Sequence, residues 1–305
     1  MAIVFPPIFK GVRVLDFSRL LPGPFASDLL IRFGAEVTCV LPPNGDPLLG
    51  AYSPFKKIHA GKKFLTFDLK DPAALREVLD LAAESQILLE GFRPGTMDRL
   101  GLGFGEIVTR QPQILYVSMI GYAEGHARFY QGAHDINFLI DSGVYSLLQG
   151  DDSTAIPALQ LADVLGGFYA AFKILAAWIG HLQDPKPLHL KVSVVEALEL
   201  MSDYLKDESS LGLLPVLTGG LARYRIYFTK DRQRIAVAAL EPKFFQNLLA
   251  AMKVQLSGNE GEGEIADLLS KSFELKTAEE WRGIFHNVDA CISFIPSRDE
   301  VLRRS

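Results

Sequence analysis

The stretch GVRVLDFSRLLPGPFASDLLIRFGAEVTCVLPP, residues 11–43, decides the fold class. Its opening, GVRVLDF, is a short apolar run after a glycine, which predicts a strand. The prolines of PGPFASDLLIRFGA begin a helix and Gly34 ends it, and EVTCVLPP predicts a second strand that two prolines close. A strand, a helix and a strand joined by short connections indicate a parallel sheet.

The next segments extend this pattern. KFLTFDL (63–69), QILLEGF (86–92) and ILYVSMIGY (114–122) predict further strands, and DPAALREVLDLAAES predicts a helix with Asp71 as its N-cap. We therefore expect an α/β, Rossmann-like large domain with a parallel sheet. Ligands of such sheets bind beyond the carboxyl ends of the strands, where the EGFRPG and SMIGYAEG loops lie.

The character of the chain changes towards its C-terminal end. LADVLGGFYAAFKILAAWIGHL, from residue 161, predicts a long apolar helix, and LKVSVVEALELMSDYL predicts a strand that leads into a helix. A hairpin around TKDRQ, helices at EPKFFQNLLAAM and TAEEWRGIFHN, and an exposed loop at SGNEGEGE (257–264) follow. We expect a large domain over residues 1–204 and a smaller α+β domain over 205–305.

The composition narrows the functional class. Of 305 residues, 49% are hydrophobic and 22% charged, as in ordinary soluble globular proteins, and a net charge of −5 without a basic block gives no reason to expect nucleic acid or a membrane surface. Cys39 and Cys291 lie in apolar contexts and predict buried thiols, and no Cys/His spacing predicts a metal site. We expect no signal peptide and no membrane span, so the cytoplasm is the expected compartment.

Several polar residues stand out from apolar surroundings. A His-Asp pair at 134–135 opens QGAHDINFLIDSG, Asp163 lies at the head of the apolar helix before two glycines, and Glu241 precedes a proline-initiated helix. Helix capping is the alternative role for Asp163 and for Glu241. The two glycines that follow Asp163 would let another backbone segment or a ligand approach closely. Arg93 would bind a phosphate or cap strand-end carbonyls. GDDS (150–153) predicts a solvated turn.

These pieces occur in the order of a known family. LTFDLKDP, LLEGFRPGTMDRLGLGF, PQILYVSMIGY, GAHDINFLIDSG and LADVLGGFYAAFKILAA, together with the opening stretch, resemble the family III CoA-transferases, which include the α-methylacyl-CoA racemases. The resemblance implies an interlocked homodimer with an acyl-CoA thioester as substrate. The chain departs from the family pattern at IHAGKK (58–63), AEGHARFYQ (123–131) and DPKPLHLKVSV (184–194). These departures bear on the affinity for coenzyme A and on the choice of substrate.

HDIN is similar to the racemase branch. The resemblance implies an acyl-CoA racemase or epimerase in which His134 and Asp163 are the two acid/base groups and Glu241 orients His134. A CoA-transferase with Asp163 as the acyl-accepting nucleophile is the first alternative. A non-catalytic acyl-CoA-binding relative is the second.

The same resemblance implies the coenzyme A contacts. Coenzyme A would be part of the substrate, with no tightly bound cofactor. Asp135 would help to hold the thioester oxygen, and Lys62 and Lys63 would add phosphate contacts unless they are solvated. The residues expected to bind coenzyme A or line the thioester are Phe67, Asp68, Leu69, Lys70, Gly91, Arg93, Arg99, Ala133, Asp135, Ile136, Asn137 and Phe138.

Overall fold

The computed structural model describes residues 6–46, 53–149 and 154–303. Its contacts divide the chain into two compact units, Met1–Asp203 and Tyr204–Ser305. The GDDS stretch at 150–153 lies outside the described residues, so its predicted turn stays a prediction.

The first unit is built on a six-stranded sheet in the order β3-β2-β1-β4-β5-β6. Every pairing is parallel, which confirms the predicted sheet. The strand order reverses between β1 and β4, which creates a crevice at the carboxyl ends of these two strands. The strands are β1 (Arg13–Asp16), β2 (Glu36–Leu41), β3 (Lys63–Thr66), β4 (Ile87–Glu90), β5 (Leu115–Ile120) and β6 (Leu188–Ser193).

Strand β3 ends earlier than the predicted strand at 63–69. Asp71 donates its backbone N–H to the carbonyl of Asp68, and the Asp68 carboxylate accepts the N–H of Lys70 at 3.0 Å. These bonds form a turn that replaces the last residues of the strand. Asp71 then caps the following helix by accepting the N–H of Ala73, as predicted.

Helices cover both faces of the sheet. One face packs against Leu30 and Ile174, and the other packs against Val78 and Ile107. The helices of this unit are α1 (Pro22–Arg32), α2 (Pro72–Ala83), α3 (Thr96–Arg99), α4 (Phe104–Arg110), α5 (Asp135–Asp141), α6 (Val144–Gln149), α7 (Leu161–Gln183) and α8 (Val194–Ser202), with a 3₁₀ helix at Ser53–His59.

Helix α7 is the long apolar helix predicted from the sequence. Within the described ranges it is one helix whose length and composition alone would let it cross a membrane. It also packs as a core helix, since Ala170 and Ile174 on its inner face are fully buried against the sheet cluster.

Two glycines near the start of α7 let its neighbours approach closely. An added Cβ on Gly167 would lie 2.7 Å from the carbonyl oxygen of Pro22 and 2.9 Å from the ring of Phe25, both in α1. A Cβ on Gly166 would lie 2.9 Å from Val194, the first residue of α8. Neighbouring helices therefore occupy the space at both glycines.

The second unit combines a three-stranded antiparallel sheet, ordered β7-β8-β9, with a layer of helices. Its core packs Ile235 and Val237 of the sheet against Leu248, Leu269 and Trp281 of the helices. The elements are β7 (Tyr224–Phe228), β8 (Arg234–Ala238), β9 (Ile292–Ile295), α9 (Leu214–Leu217), α10 (Pro242–Met252), α11 (Glu262–Phe273), α12 (Ala278–Phe285) and α13 (Arg298–Arg303), with 3₁₀ helices at Asp203–Leu205 and Glu208–Gly212.

The hairpin predicted around TKDRQ joins β7 to β8, and Arg232 in its turn has φ +59°. The exposed loop predicted at 257–264 is wrong in its last three residues, because α11 begins at Glu262. The carboxylate of Glu264 accepts the N–H of Gly261 at 2.9 Å and so satisfies a free donor at the helix start. Cys39 is buried as predicted, whereas Cys291 is only half-buried.

Substitution of Gly167 by alanine is expected to destabilise the first unit by about 1–3 kcal/mol, because the new methyl group would press on the backbone of α1. Gly180→Ala in the same helix is the matched control. No atom lies within 4 Å of a Cβ at Gly180, so this change should be neutral or stabilise by up to about 1 kcal/mol. Urea unfolding followed by circular dichroism measures both. Equal effects of the two variants would contradict the packing described for α1 and α7.

Candidate active site

A cavity of about 540 Å³ opens at the carboxyl ends of β1, β4 and β5. It is lined by residues 18–20 after β1, 91–94 after β4 and 119–121 at the end of β5. Further lining residues are Pro22, Gly23, Phe129, residues 131–134, Asn137, Phe138, Asp163 and Val194. The cavity therefore occupies the crevice that the reversal of strand order creates, where the sequence predicted a ligand site.

Asp163 is the third residue of α7 and is only 8% exposed. Its Oδ2 accepts a hydrogen bond from the side-chain amide of Gln160 at 3.2 Å. Burial and, to a lesser extent, the nearby charge of Asp135 raise the pKa of Asp163 to about 7, although the Gln160 hydrogen bond acts in the opposite direction. Gln160 holds the N-cap position, so Asp163 is not the cap that the alternative interpretation proposed.

Asp135 is the residue that joins the two helices of the site. It is the first residue of α5, and its Oδ1 accepts the backbone N–H of Asp163 at 3.0 Å. Burial raises the pKa of Asp135, and the N–H groups of Asp163 and Ala162 lower it. The carboxylate of Asp135 thus satisfies free donors at the start of α7, a role that sequence reasoning did not foresee.

His134 precedes α5 at the N-cap position and lines the cavity. Its backbone N–H is donated to the side-chain oxygen of Asn137 at 3.1 Å. This bond fixes the backbone at the helix start, while the imidazole stays exposed on the cavity side of the unit. The structure therefore brings His134 and Asp163 to one cavity.

The other expected ligand contacts divide into two groups. The first group lines the cavity and comprises Gly91, Arg93, Ala133, Asn137 and Phe138. The second group is outside the cavity lining and comprises Phe67, Asp68, Leu69, Lys70, Arg99, Asp135 and Ile136. Residues 67–70 follow β3, so they lie at the carboxyl ends of the strands, as the cavity does.

Two basic side chains of the first unit make contacts within the protein. Arg99 ends α3 and donates to Thr96 at 2.9 Å. Lys62 is buried and donates to Ser27 Oγ and to the carbonyl of Pro24, each at 2.7 Å. Lys62 is therefore neither a solvated lysine nor placed on a surface where a phosphate would lie, and this corrects both interpretations of it.

Glu241 lies in the second unit, where it is exposed at the N-cap position of α10. Its backbone carbonyl accepts the N–H groups of Phe244 and Phe245, and its side chain makes no capping hydrogen bond. Its role towards His134 stays a prediction.

Sequence reasoning missed the loop after β1. Arg19 and Leu20 line the cavity, and the Arg19 guanidinium lies 5.1 Å from the ring centre of Phe92. A buried carboxylate holds this loop, because Asp16 accepts the N–H of Ser18 at 2.8 Å and the hydroxyl of Ser27 at 2.6 Å. The position of RLL directly after a predicted strand was the available signal.

Among the described residues no group of three or more His, Cys, Asp or Glu side chains could hold a metal ion. The chemistry available to the cavity rests on Asp163, His134 and the two arginines that line it, Arg19 and Arg93.

Known proteins resemble this chain over nearly its whole length. The model of CoA-transferase family III matches residues 9–305. Alpha-methylacyl-CoA racemase of Homo sapiens is 31% identical over 96% of this chain and 79% of its own length. Succinyl-CoA:glutarate CoA-transferase of Mus musculus is 26% identical over 77% of this chain and 57% of its own length.

The fold recurs in a solved structure. The crystal structure of a hypothetical protein from Mycobacterium tuberculosis matches with a TM-score of 0.82 and 24% identity, over 97% of this chain and 87% of the other. This similarity shows that the two chains share a fold.

Replacement of Asp135 by asparagine is expected to lower the pKa of Asp163 below about 7, because it removes a nearby negative charge and keeps an acceptor for the Asp163 N–H. Gln160→Ala should raise the same pKa, because the ionised carboxylate loses a donor. Carboxyl ¹³C NMR measures both, with Asp163→Asn identifying the resonance. Asp80→Asn, at an exposed carboxylate on α2, is the control. A rise after Asp135→Asn would refute the electrostatic explanation.

Proposed function

The chain belongs to CoA-transferase family III, and from that membership we propose that it is an acyl-CoA racemase or epimerase. It would act at the α-carbon of a 2-methylacyl-CoA-type thioester by transferring a proton between His134 and Asp163. One observation carries the proposal: both side chains line the same cavity, and Asp163 has a pKa of about 7. The racemase at 31% identity supports it.

The physical argument concerns acid/base matching. The α-hydrogen of a thioester is weakly acidic, so its removal needs a base, and inversion needs an acid on the opposite face. A carboxyl group with a pKa near 7 serves as base or acid at neutral pH, and imidazoles in general also exchange protons in this range. The pair can therefore work in both directions, as a racemase requires.

The charge of the cavity suits a coenzyme A thioester. Arg19 and Arg93 line it and would pair with anionic groups of the ligand. Residues 67–70 and Arg99 remain the proposed outer contacts of coenzyme A. The proposed reaction needs no cofactor besides the coenzyme A of the substrate, and we place it in the cytoplasm, which cell fractionation would test.

A CoA-transferase reaction at the same cavity is the second candidate. A relative named as a CoA-transferase matches this chain at 26% identity. In that reaction the Asp163 carboxylate would attack the thioester carbonyl, expel the coenzyme A thiolate and form a mixed anhydride. The raised pKa of Asp163 favours the racemase, because a carboxyl that is partly protonated near neutral pH can both give and take a proton.

The protein is expected to exchange the α-proton of 2-methylacyl-CoA thioesters with D₂O. His134→Ala and Asp163→Asn should each slow exchange by at least about 100-fold, because each removes one of the two proton carriers. Asp80→Asn should keep the wild-type rate. Mass spectrometry of the recovered thioester measures the incorporation.

The absence of exchange over a broad acyl panel would refute the racemase. A hydroxylamine-sensitive acyl adduct on Asp163, together with full activity of His134→Ala, would establish the transferase instead. Binding of coenzyme A without exchange or adduct would show a non-catalytic relative.

The proposal includes a homodimer in which Glu241 of one chain orients His134 of the other. Sedimentation should give twice the chain mass of 33.6 kDa. Mixed refolding of inactive His134→Ala and Glu241→Ala chains should restore activity in a fraction of the dimers, because one intact site would form. A single-chain mass at working concentration, or no recovery in mixtures, would contradict this arrangement.

A further inference from the structure

The loop of residues 123–132 lies between β5 and α5. It is a series of turns, in which Phe129 donates its N–H to the carbonyl of His126 at 3.0 Å and Gln131 donates to Arg128 at 2.8 Å. Its last part, which includes Phe129 and Gln131, lines the candidate active-site cavity.

Arg128 connects this loop to helix α5 and to Tyr122, which follows β5. Its guanidinium pairs with Asp141, the last residue of α5, and donates to the side-chain oxygen of Gln131 at 3.1 Å. The same guanidinium lies 5.2 Å from the ring centre of Tyr122, whose hydroxyl donates to Asp141 at 2.5 Å. One arginine therefore fixes the loop against the helix that carries His134 at its other end.

Phe129 lines two adjoining cavities. A second cavity of about 320 Å³ adjoins the first on the sheet face of β4, β5 and β6. Five residues line both cavities, and Phe129 is the one that the loop contributes. The other four come from the segment after β4 and from the end of β5. Phe129 is half-buried and lies on the boundary that the two cavities share.

The second cavity offers room for an extended group. Phe104 and Tyr130 form part of its wall, and Ser118 and His189 are hydrogen-bonded to each other at 2.9 Å in its lining. Its volume lies at the lower end of the range for small-molecule pockets. The lining also holds charged side chains, among them Glu90, Asp98 and Lys191. A chain that passed the position of Phe129 would gain burial on the aromatic part of this lining.

We propose that Phe129, held in place by Arg128, determines the length of acyl group that the site accepts. The ring ends the space available to the acyl chain, and its removal joins the two cavities. This inference rests on the proposed use of an acyl-CoA thioester, and it applies equally to racemisation and to transfer.

Binding of unreactive S-alkyl-CoA thioethers, from S-propyl to S-decyl, tests the proposal by isothermal titration calorimetry. Wild-type affinity should increase with chain length and then stop increasing at a defined length. Phe129→Ala should continue to gain beyond that length, by up to about fourfold per added methylene. Arg128→Gln should shift the limit in the same direction by a smaller amount, because it frees the loop.

Three further variants make the result specific. Phe104→Leu should keep the wild-type limit, because Phe104 lines only the second cavity and packs on the rings of Tyr116 and His189. Arg110→Gln, at an exposed ion pair of α4, should also keep it. Phe129→Leu replaces Phe129→Ala if the alanine variant does not fold, and it should give an intermediate limit.

An unchanged length limit in Phe129→Ala, with normal affinity for coenzyme A itself, would overturn this inference and leave the proposed function intact. The same extension in Phe104→Leu would also overturn it. Failure of the wild-type protein to bind any S-alkyl-CoA would refute the proposed function, and this inference with it.

Discussion

The hydrogen bond from the backbone of Asp163 to the carboxylate of Asp135 is the contact on which the site depends. It joins the first residue of α5 to the first turn of α7, two helices separated in sequence by residues 142–160. Free N–H groups at a helix start need an acceptor, and a neighbouring helix supplies it here. As a result, His134 and Asp163 face one cavity although neither side chain contacts the other helix's cap.

The same contact sets the chemistry of Asp163. A second carboxylate close to a buried one disfavours the charged form, and burial acts in the same direction. Burial is the larger cause of the raised pKa of Asp163, and the charge of Asp135 that anchors α7 adds to it by repelling the charge of Asp163. A single acid serves as a helix cap and as an electrostatic neighbour of the candidate acid/base group.

Close packing holds this arrangement against the sheet. Gly166 and Gly167 bring α7 against α8 and α1, and α1 follows the loop that Asp16 fixes at the end of β1. The cavity is thus bounded by segments whose positions are set by buried polar groups and by close helix contacts at these two glycines. The 123–132 loop is attached differently, through the ionic and aromatic contacts of Arg128 at the surface.

The sequence by itself determined the parallel sheet, the order of its elements and the family, because hydrophobic period, proline and glycine positions are local properties. It also predicted His134 and Asp163 as site residues, since polar groups in apolar runs stand out, and both line one cavity. The tertiary structure alone decided that Asp135 caps α7, that Lys62 is buried and that Phe129 lines two adjoining cavities. Each of these depends on atoms that meet across long sequence separations, and no local pattern records which donor finds which acceptor.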